Sequence, residues 1–340
     1  MGNTENCCKM NIWHIIKSIT PGIMACLMIS LVATSVAQYY NVPAMLLCLL
    51  FGIALNFISR RNITKEGVNF TAKTILRAGV VLIGARIMFS DFMALGGEIL
   101  ALVILSTASV VIVGLVLAKR LGLQTEQGIL IGGATAICGA SAALAISAML
   151  PQTKTLEQNT LIAVIGVTLM GTLAMIMYPA LIVLLGFNDY QAGIFIGGTI
   201  HDVSQVVGAG YSISEETGDT AILIKLMRVF LLVPLLLLFI FGFGKQKHEE
   251  NPKRVAFPVF LLGFLCLMTL NSFHLIPADI TAILKNTSQW FLLMAISAVG
   301  IKTSPKALLS LGYKPIILIG CEAGFILTLY LVFLFIHPNI

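Results

Sequence analysis

The chain has 340 residues, 58% of them hydrophobic and 11% charged, with a mean hydropathy of +0.98. A soluble domain carries about 25% charge, so these values point to an all-α polytopic membrane protein and exclude a soluble domain of useful size. The net charge of +6 has no basic domain to sit on. That argues against nucleic acid as a partner and for basic residues in cytoplasmic loops.

Residues 1–18 read as an N-terminal cytoplasmic tail and residues 19–340 as a single transmembrane domain, with approximate halves 43–185 and 189–340. Lys9 and Lys17 precede a full-length apolar span, which reads as a membrane helix and not as a cleavable signal. Eleven spans are predicted: Ile19–Gln38, Pro43–Ile58, Thr71–Met88, Glu98–Ala118, Gln124–Leu150 and Asn159–Leu185, then Tyr190–Ala209, Thr220–Phe243, Phe257–Phe273, Ser288–Ile301 and Pro315–Ile336. The longest polar connections are Arg60–Lys73 and Lys245–Arg254, and an acidic loop holds Glu215, Glu216 and Asp219. A cytoplasmic N-terminus puts Lys9, Lys17, both long loops, Lys119-Arg120, Lys306 and Lys314 inside, as the distribution of lysine and arginine requires. Arg86, Lys154 and Lys285 then lie outside, beside the acidic run.

Two glycine-rich stretches organise the middle of the chain. One runs Gly128-Ile-Leu-Ile-Gly-Gly133 and turns polar through Thr135, Cys138, Gly139 and Ser141. The other runs Gly193-Ile-Phe-Ile-Gly-Gly198 and turns polar through Thr199, His201, Asp202, Ser204 and Gln205. A break in a membrane helix exposes N–H and C=O groups that only a protein-lined cavity satisfies. Paired interruptions of this kind point to a transporter's binding site. Breaks are expected near Thr135–Ser141 and Gly197–His201. The second half of each helix would then offer N–H donors and a positive dipole end to an anion, with Thr135, Ser141, Thr199 and Ser204 as hydroxyl donors. The alternative is that the small residues serve close helix packing.

A second pair, Gly84-Ala-Arg86 and Gly300-Ile-Lys302, each followed by Leu-Gly, shares the pattern G-x-[R/K]-x8-L-G and lies seven helices apart. That odd separation is the parity of an inverted repeat; the two G-I-x-I-G-G segments, two spans apart, are parallel by the same count unless one is re-entrant.

His201 is placed to carry a coupling proton, and Asp202 to orient it or bind a cation. Both are otherwise structural polar contacts. Lys225 and Arg228 share a helix face. They line an anion path, or Arg228 pairs with Asp202 while Lys225 snorkels to the surface. Arg77 has a similar choice between oxyanion and ion pair. Gln205 can donate or accept, and Glu322 reads as a partly buried polar contact. Nucleophile elbow, zinc-protease and P-loop motifs are absent from the sequence, so neither catalysis, metal nor cofactor is expected.

Several stretches carry a resemblance. They are Leu76-Arg77-Ala78-Gly79 with Gly84 and Arg86, Ile137-Cys138-Gly139-Ala140-Ser141-Ala142, Ile200-His201-Asp202-Val203-Ser204-Gln205-Val206-Val207 with Ala209-Gly210, Lys225-x-x-Arg228, and Asn271-Ser272-Phe273-His274-Leu275-Ile276-Pro277. In this order they resemble the YeiH-type family of bacterial inner-membrane proteins, whose family name designates sulfate exporters. The resemblance implies a multi-pass inner-membrane protein and a secondary transporter. It also implies kinship with the bile-acid and proton-antiporter folds, in which two broken helices cross at the substrate site. Ala78 stands where a larger apolar residue is usual in the family, and Asp202 where some members carry glutamate. The expected function is therefore alternating-access transport of a small anion (sulfate, sulfite or a small sulfonate), coupled to a proton or sodium ion, with the bilayer and a second copy of the chain as further partners. A passive anion channel is the main alternative; an intramembrane enzyme or receptor component ranks below it.

Overall fold

A computed structural model describes residues 2–40, 42–60, 62–150, 153, 155–236, 259–303, 312–338 and 340. The Lys245–Arg254 loop, Lys154, Lys306, Leu311 and the end of the eighth predicted span lie outside the described residues. Within them every regular element is helical. In chain order these are α1 (Gly2–Tyr40), α2 (Ala44–Ala54), a short 3-10 turn (Asn56–Arg60), α3 (Asn62–Phe70), a π-helical turn (Thr71–Ile75), α4 (Leu76–Ile83), α5 (Phe89–Ala94) and α6 (Gly96–Arg120). There follow α7 (Thr125–Ala136), α8 (Ala140–Ser147), α9 (Leu156–Leu185), α10 (Asp189–Thr199), α11 (Val203–Gly210), α12 (Glu215–Phe230), α13 (Val259–Ser272), α14 (Ala278–Lys302) and α15 (Tyr313–Ile336). Among the described residues, four stretches are long and apolar enough to cross a membrane: Lys17–Tyr40, Gly96–Arg120, Leu156–Leu185 and Tyr313–Ile336.

Three predicted connections instead extend a neighbouring helix, and a fourth, between Met88 and Glu98, holds the short α5. Most of Arg60–Lys73 forms α3 and the π turn, continuous with α4, so the third helix runs earlier than Thr71–Met88. Glu215, Glu216 and Asp219 lie in the opening turns of α12, where Ser214 caps the Thr217 N–H at 3.0 Å and the acids face the positive dipole end. α14 starts at Ala278 behind Pro277, well before Ser288. In all three places, hydropathy misses the polar turns that extend a helix beyond its apolar stretch.

The chain packs as two compact units, Met1–Phe89 with Phe260–Ser304, and Ser90–Val259 with Pro305–Ile340. In the first, α14 packs against α1, α2, α4 and the π turn. Gly300 of α14 and Gly52 of α2 meet backbone to backbone: a Cβ on Gly300 would lie 2.9 Å from the Gly52 Cα. The Asn56 amide donates to the Ile301 and Thr303 carbonyls at 2.6 and 2.9 Å, which satisfies the end of α14. A Cβ on Gly84 would lie 2.5 Å from the Phe264 carbonyl. The leading glycine of each G-x-[R/K] motif thus marks a close helix approach.

In the second unit, α6 packs along α7, α10 and α11 lie on α12, and α15 packs against α6, α7, α9 and α10. Large apolar side chains such as Leu105, Ile112, Val183 and Phe335 stay exposed, as on helices that face lipid. Two glycines set chain direction here. Gly186 ends α9 in the left-handed region (φ 69°, ψ 29°), which asparagine also visits. Gly139 has φ 63° and ψ −125°, a combination close to glycine's exclusive territory.

The two sites should therefore respond differently to one side chain. Gly139→Asn is expected to cost about 1–3 kcal/mol, while Gly186→Asn costs much less. Thermal melts of the two purified variants check this, and equal losses would refute it.

Candidate functional site

Both glycine-rich stretches interrupt their helices, but the interruption follows the glycine pair. The chain leaves helix at Ile137–Gly139 between α7 and α8, and at Ile200–Asp202 between α10 and α11. Gly132, Gly133, Gly197 and Gly198 themselves are helical and buried. They serve packing: a Cβ on Gly197 would sit 2.8 Å from the Ile224 Cβ, and Gly198 lies against the Tyr330 ring. The break comes where the helical ladder stops, at Gly139 in the first stretch and at extended Ile200 and Asp202 in the second.

The ends of α7 and α10 each leave carbonyls without an intrahelical partner. Lys225 and Arg228 of α12 supply the donors. Lys225 Nζ donates to the Ile137 and Ile200 carbonyls at 2.5 and 2.9 Å. Arg228 Nε donates to Ala136 O at 2.9 Å, Nη1 to Gly198 O at 2.6 Å, and Nη2 to Thr135 O at 2.9 Å and to Ala136 O. Both side chains are fully buried. Their positive charges face the negative dipole ends of two helices at once. Lys225 does not snorkel, and the Arg228 hydrogen bonds go to main-chain carbonyls and not to Asp202. Because α12 starts at Glu215, these two residues lie in its C-terminal half, deeper than the sequence suggested.

The opposite ends carry the opposite charge. Asp202 is the N-cap of α11: its Oδ1 accepts from the Ser204 N–H at 2.9 Å and the Ser204 hydroxyl at 2.7 Å. Gln205 completes a capping box, accepting from the Asp202 N–H at 3.3 Å. The Gln205 amide also donates to the Thr168 carbonyl and Thr172 hydroxyl of α9, at 2.8 and 3.1 Å. The other Asp202 oxygen points toward the first break, 3.7 Å from where a Cβ on Gly139 would stand. α8 has no side-chain cap. The nearest carboxylate to its start is that free oxygen of Asp202, which belongs to the other break.

The remaining candidates separate. Ser141 is exposed at the start of α8, and Cys138 is buried inside the break with the Ala142 backbone beside it. Thr199 donates back to the Phe195 carbonyl at 2.5 Å, so its hydroxyl is used within α10. His201 is buried with Nδ1 unpartnered, and the backbone of Thr135 is its polar neighbour. Arg77 belongs to the other unit, where it is exposed and sits 5.8 Å over the Phe260 ring. Sequence reasoning missed the Asp-x-x-Gln capping signal at residues 202–205, which was legible. It also missed Tyr330, whose buried hydroxyl pairs with Ser106 at 3.3 Å.

Comparison with known proteins bears on this arrangement. The family model described as conserved hypothetical protein 698 matches residues 21–319. A UPF0324 membrane protein of Chlorobaculum tepidum is 43% identical over 314 residues, covering 92% of this chain and 88% of that one. The chain belongs to the UPF0324 membrane protein family. The UPF0324 membrane protein TauZ of Paracoccus pantotrophus is 42% identical over 316 residues, covering 92% of this chain and 94% of its own length. The inner membrane protein YeiH of Escherichia coli, also UPF0324, is 32% identical over 325 residues, covering 90% of each. The resemblance carried by the motifs and the family found by comparison are the same. No solved structure matches.

Arg228 should be the most sensitive of the cations. Arg228→Met strands the Thr135, Ala136 and Gly198 carbonyls, each at a cost of about 1–3 kcal/mol. Arg77→Met removes one exposed ring contact and should change stability by less than about 1 kcal/mol. Size-exclusion profiles and melting temperatures of the two variants decide this; a folded Arg228→Met protein with an unaltered melting temperature would contradict it.

Proposed function

We propose that the protein is a secondary transporter of a small oxyanion, of the sulfate, sulfite or small sulfonate class, working by alternating access as an exporter in a bacterial inner membrane. The observation that carries this reading is the pair of interrupted helices in one unit, with cations at their C-terminal ends and a single carboxylate at their N-terminal ends. Two buried cations against one carboxylate leave a positive balance that suits an anion. The uncapped first turn of α8 offers it N–H donors and the Ser141 hydroxyl. Gly139 keeps that approach free of a side chain. In this reading the eleven spans form inverted repeats with a cytoplasmic N-terminus, and the substrate changes sides as one part of the fold rocks against another. Binding followed by conformational exchange, and not covalent chemistry, is the work of the site.

His201 and Asp202 are the residues of the second break assigned to coupling, to a proton or sodium ion. A buried imidazole beside the end of α7 links its protonation to the shape of the break.

Purified protein in liposomes tests the reading directly. Saturable uptake of labelled sulfate, sulfite or a small sulfonate that depends on a counter-gradient is expected; flux that neither saturates nor responds to the gradient would mean a channel. His201→Ala should abolish coupled flux while the protein still inserts. Unchanged transport by that variant across about pH 5–8 would remove His201 from the mechanism. Gly139→Leu should also abolish the stabilisation of the protein by its anion, because the side chain fills the mouth of α8.

A further inference from the structure

Among the described residues, four buried side-chain polar atoms have no hydrogen-bond partner: Thr135 Oγ1, His201 Nδ1, and both carboxyl oxygens of Glu322. They are not scattered. Thr135 is the side-chain neighbour of Glu322, and its backbone is the neighbour of the His201 ring. The other buried side-chain nitrogens and oxygens among the described residues are paired, as buried groups generally are. A cluster of orphans around one residue therefore calls for an explanation.

The carboxyl of Glu322 lies in a space made for it. It projects from α15 to the place where α6 and α7 touch through Gly114 and Gly132. A Cβ on Gly114 would lie 2.9 Å from the Gly132 Cα and would strike Glu322 Oε1; one on Gly132 would lie 3.5 Å from the same oxygen. The notch thus holds a carboxyl, two bare backbones and one hydroxyl. A bare charge in such a place costs at least about 2.5–3.5 kcal/mol, so the group needs a cation. A metal ion asks for roughly six oxygen ligands, and one carboxyl with one hydroxyl falls well short. A proton asks for no more than they offer.

Arg228 of α12 and the His201 ring reach Thr135 through its backbone; the other titratable groups on the neighbouring helices lie elsewhere along them. Glu98 is in the first turn of α6 and Lys119 and Arg120 in its last turn; Glu126, Glu157 and Asp189 open α7, α9 and α10, with Tyr190 beside the last. Tyr178 of α9 packs at a tilt against Phe195, ring centroids 5.2 Å apart. On α15 itself, Tyr313 and Lys314 start the helix, Cys321 is exposed, and Tyr330 pairs with Ser106.

We propose that Glu322 and Thr135 form a buried proton-binding site, distinct from the His201–Asp202 break, that couples proton binding to the end of α7. The carboxylate takes one proton from the aqueous phase and becomes a neutral acid; on release the proton returns to water. Thr135 makes the link. Its hydroxyl faces Glu322 while its carbonyl is held by Arg228 at 2.9 Å. When Glu322 changes between donor and acceptor, the Thr135 hydroxyl must reorient, at the residue where α7 is about to stop. The site's role in transport rests on the reading proposed above, but the proton site itself does not.

The test is a pH titration of the purified full-length protein in lipid nanodiscs, followed by infrared difference spectroscopy. A protonated-carboxyl C=O band is expected that Glu322→Gln removes, that Glu322→Asp keeps at a shifted position, and whose pH midpoint Thr135→Val moves. A band that survives Glu322→Gln unchanged, or a wild-type spectrum without one, overturns the proposal. Should Glu322→Gln fail to fold, an unmoved midpoint in Thr135→Val overturns it instead. Flux separates the two readings. If the band behaves as expected and no oxyanion is carried, the transporter reading falls and the proton site stands. If oxyanions are carried with the same pH dependence in Glu322→Gln as in the wild type, the coupling of this proton to transport falls and the transporter reading stands.

Discussion

The second unit depends on a balance between helix ends and charged side chains. Interrupting two helices inside apolar surroundings exposes carbonyls that lipid cannot satisfy. Lys225 and Arg228, one helical turn apart on α12, gather five of those carbonyls from the ends of α7 and α10. Two expensive features, buried cations and broken helices, thereby offset each other. Neither is stable alone: a buried charge without partners costs several kcal/mol, and so do unsatisfied main-chain groups. The same bonds tie two separate breaks to one helix.

At the other side of the breaks the solution is different and incomplete. α11 carries its own anion in Asp202, fixed by Ser204 and Gln205, and Gln205 anchors that cap to α9. α8 begins at a bare glycine. The asymmetry matters chemically. One helix end is closed by a carboxylate at its own N-cap; the other has none there, and the second oxygen of Asp202 points toward it from across the two breaks.

Much of this was legible in the sequence, for physical reasons. Apolar length located α6, α9 and α15 closely, because a long apolar run has few other uses. The polarity after each glycine pair located both interruptions to within a few residues. The glycine pairs themselves misled. Gly197 and Gly198 read as breakers, but in the fold they remove side chains where Ile224 and Tyr330 press against α10. Sequence does not separate these two uses of glycine, since each asks only for a missing Cβ. Lys225 and Arg228 were visible as a pair on one face, but their acceptors are main-chain atoms far away in sequence, and no residue type announces them. Glu322 was hidden for a similar reason: its surroundings are two glycines and a threonine, none of which looks like a partner for an acid. The polar openings of α12 and α14 were lost because charge at a helix start lowers hydropathy just where it favours helix.

The unequal lengths on the two sides of each break have an electrical consequence. α7 and α10 have 12 and 11 residues, while α8 and α11 have 8 each. At about 1.5 Å per residue, each interrupted span divides into roughly 17 Å and 12 Å, close together to one bilayer thickness. In the proposed reading, in which both interrupted helices span the bilayer, a charge held at the break lies about two fifths of the way through the insulating layer from one face. Reaching it from that face crosses about two fifths of the transmembrane voltage, worth about 0.9 kcal/mol for each 100 mV. Reaching it from the other face crosses the remaining, larger part. Under the transport reading proposed above, binding of an ion at the breaks is voltage-sensitive from both sides, and unequally so.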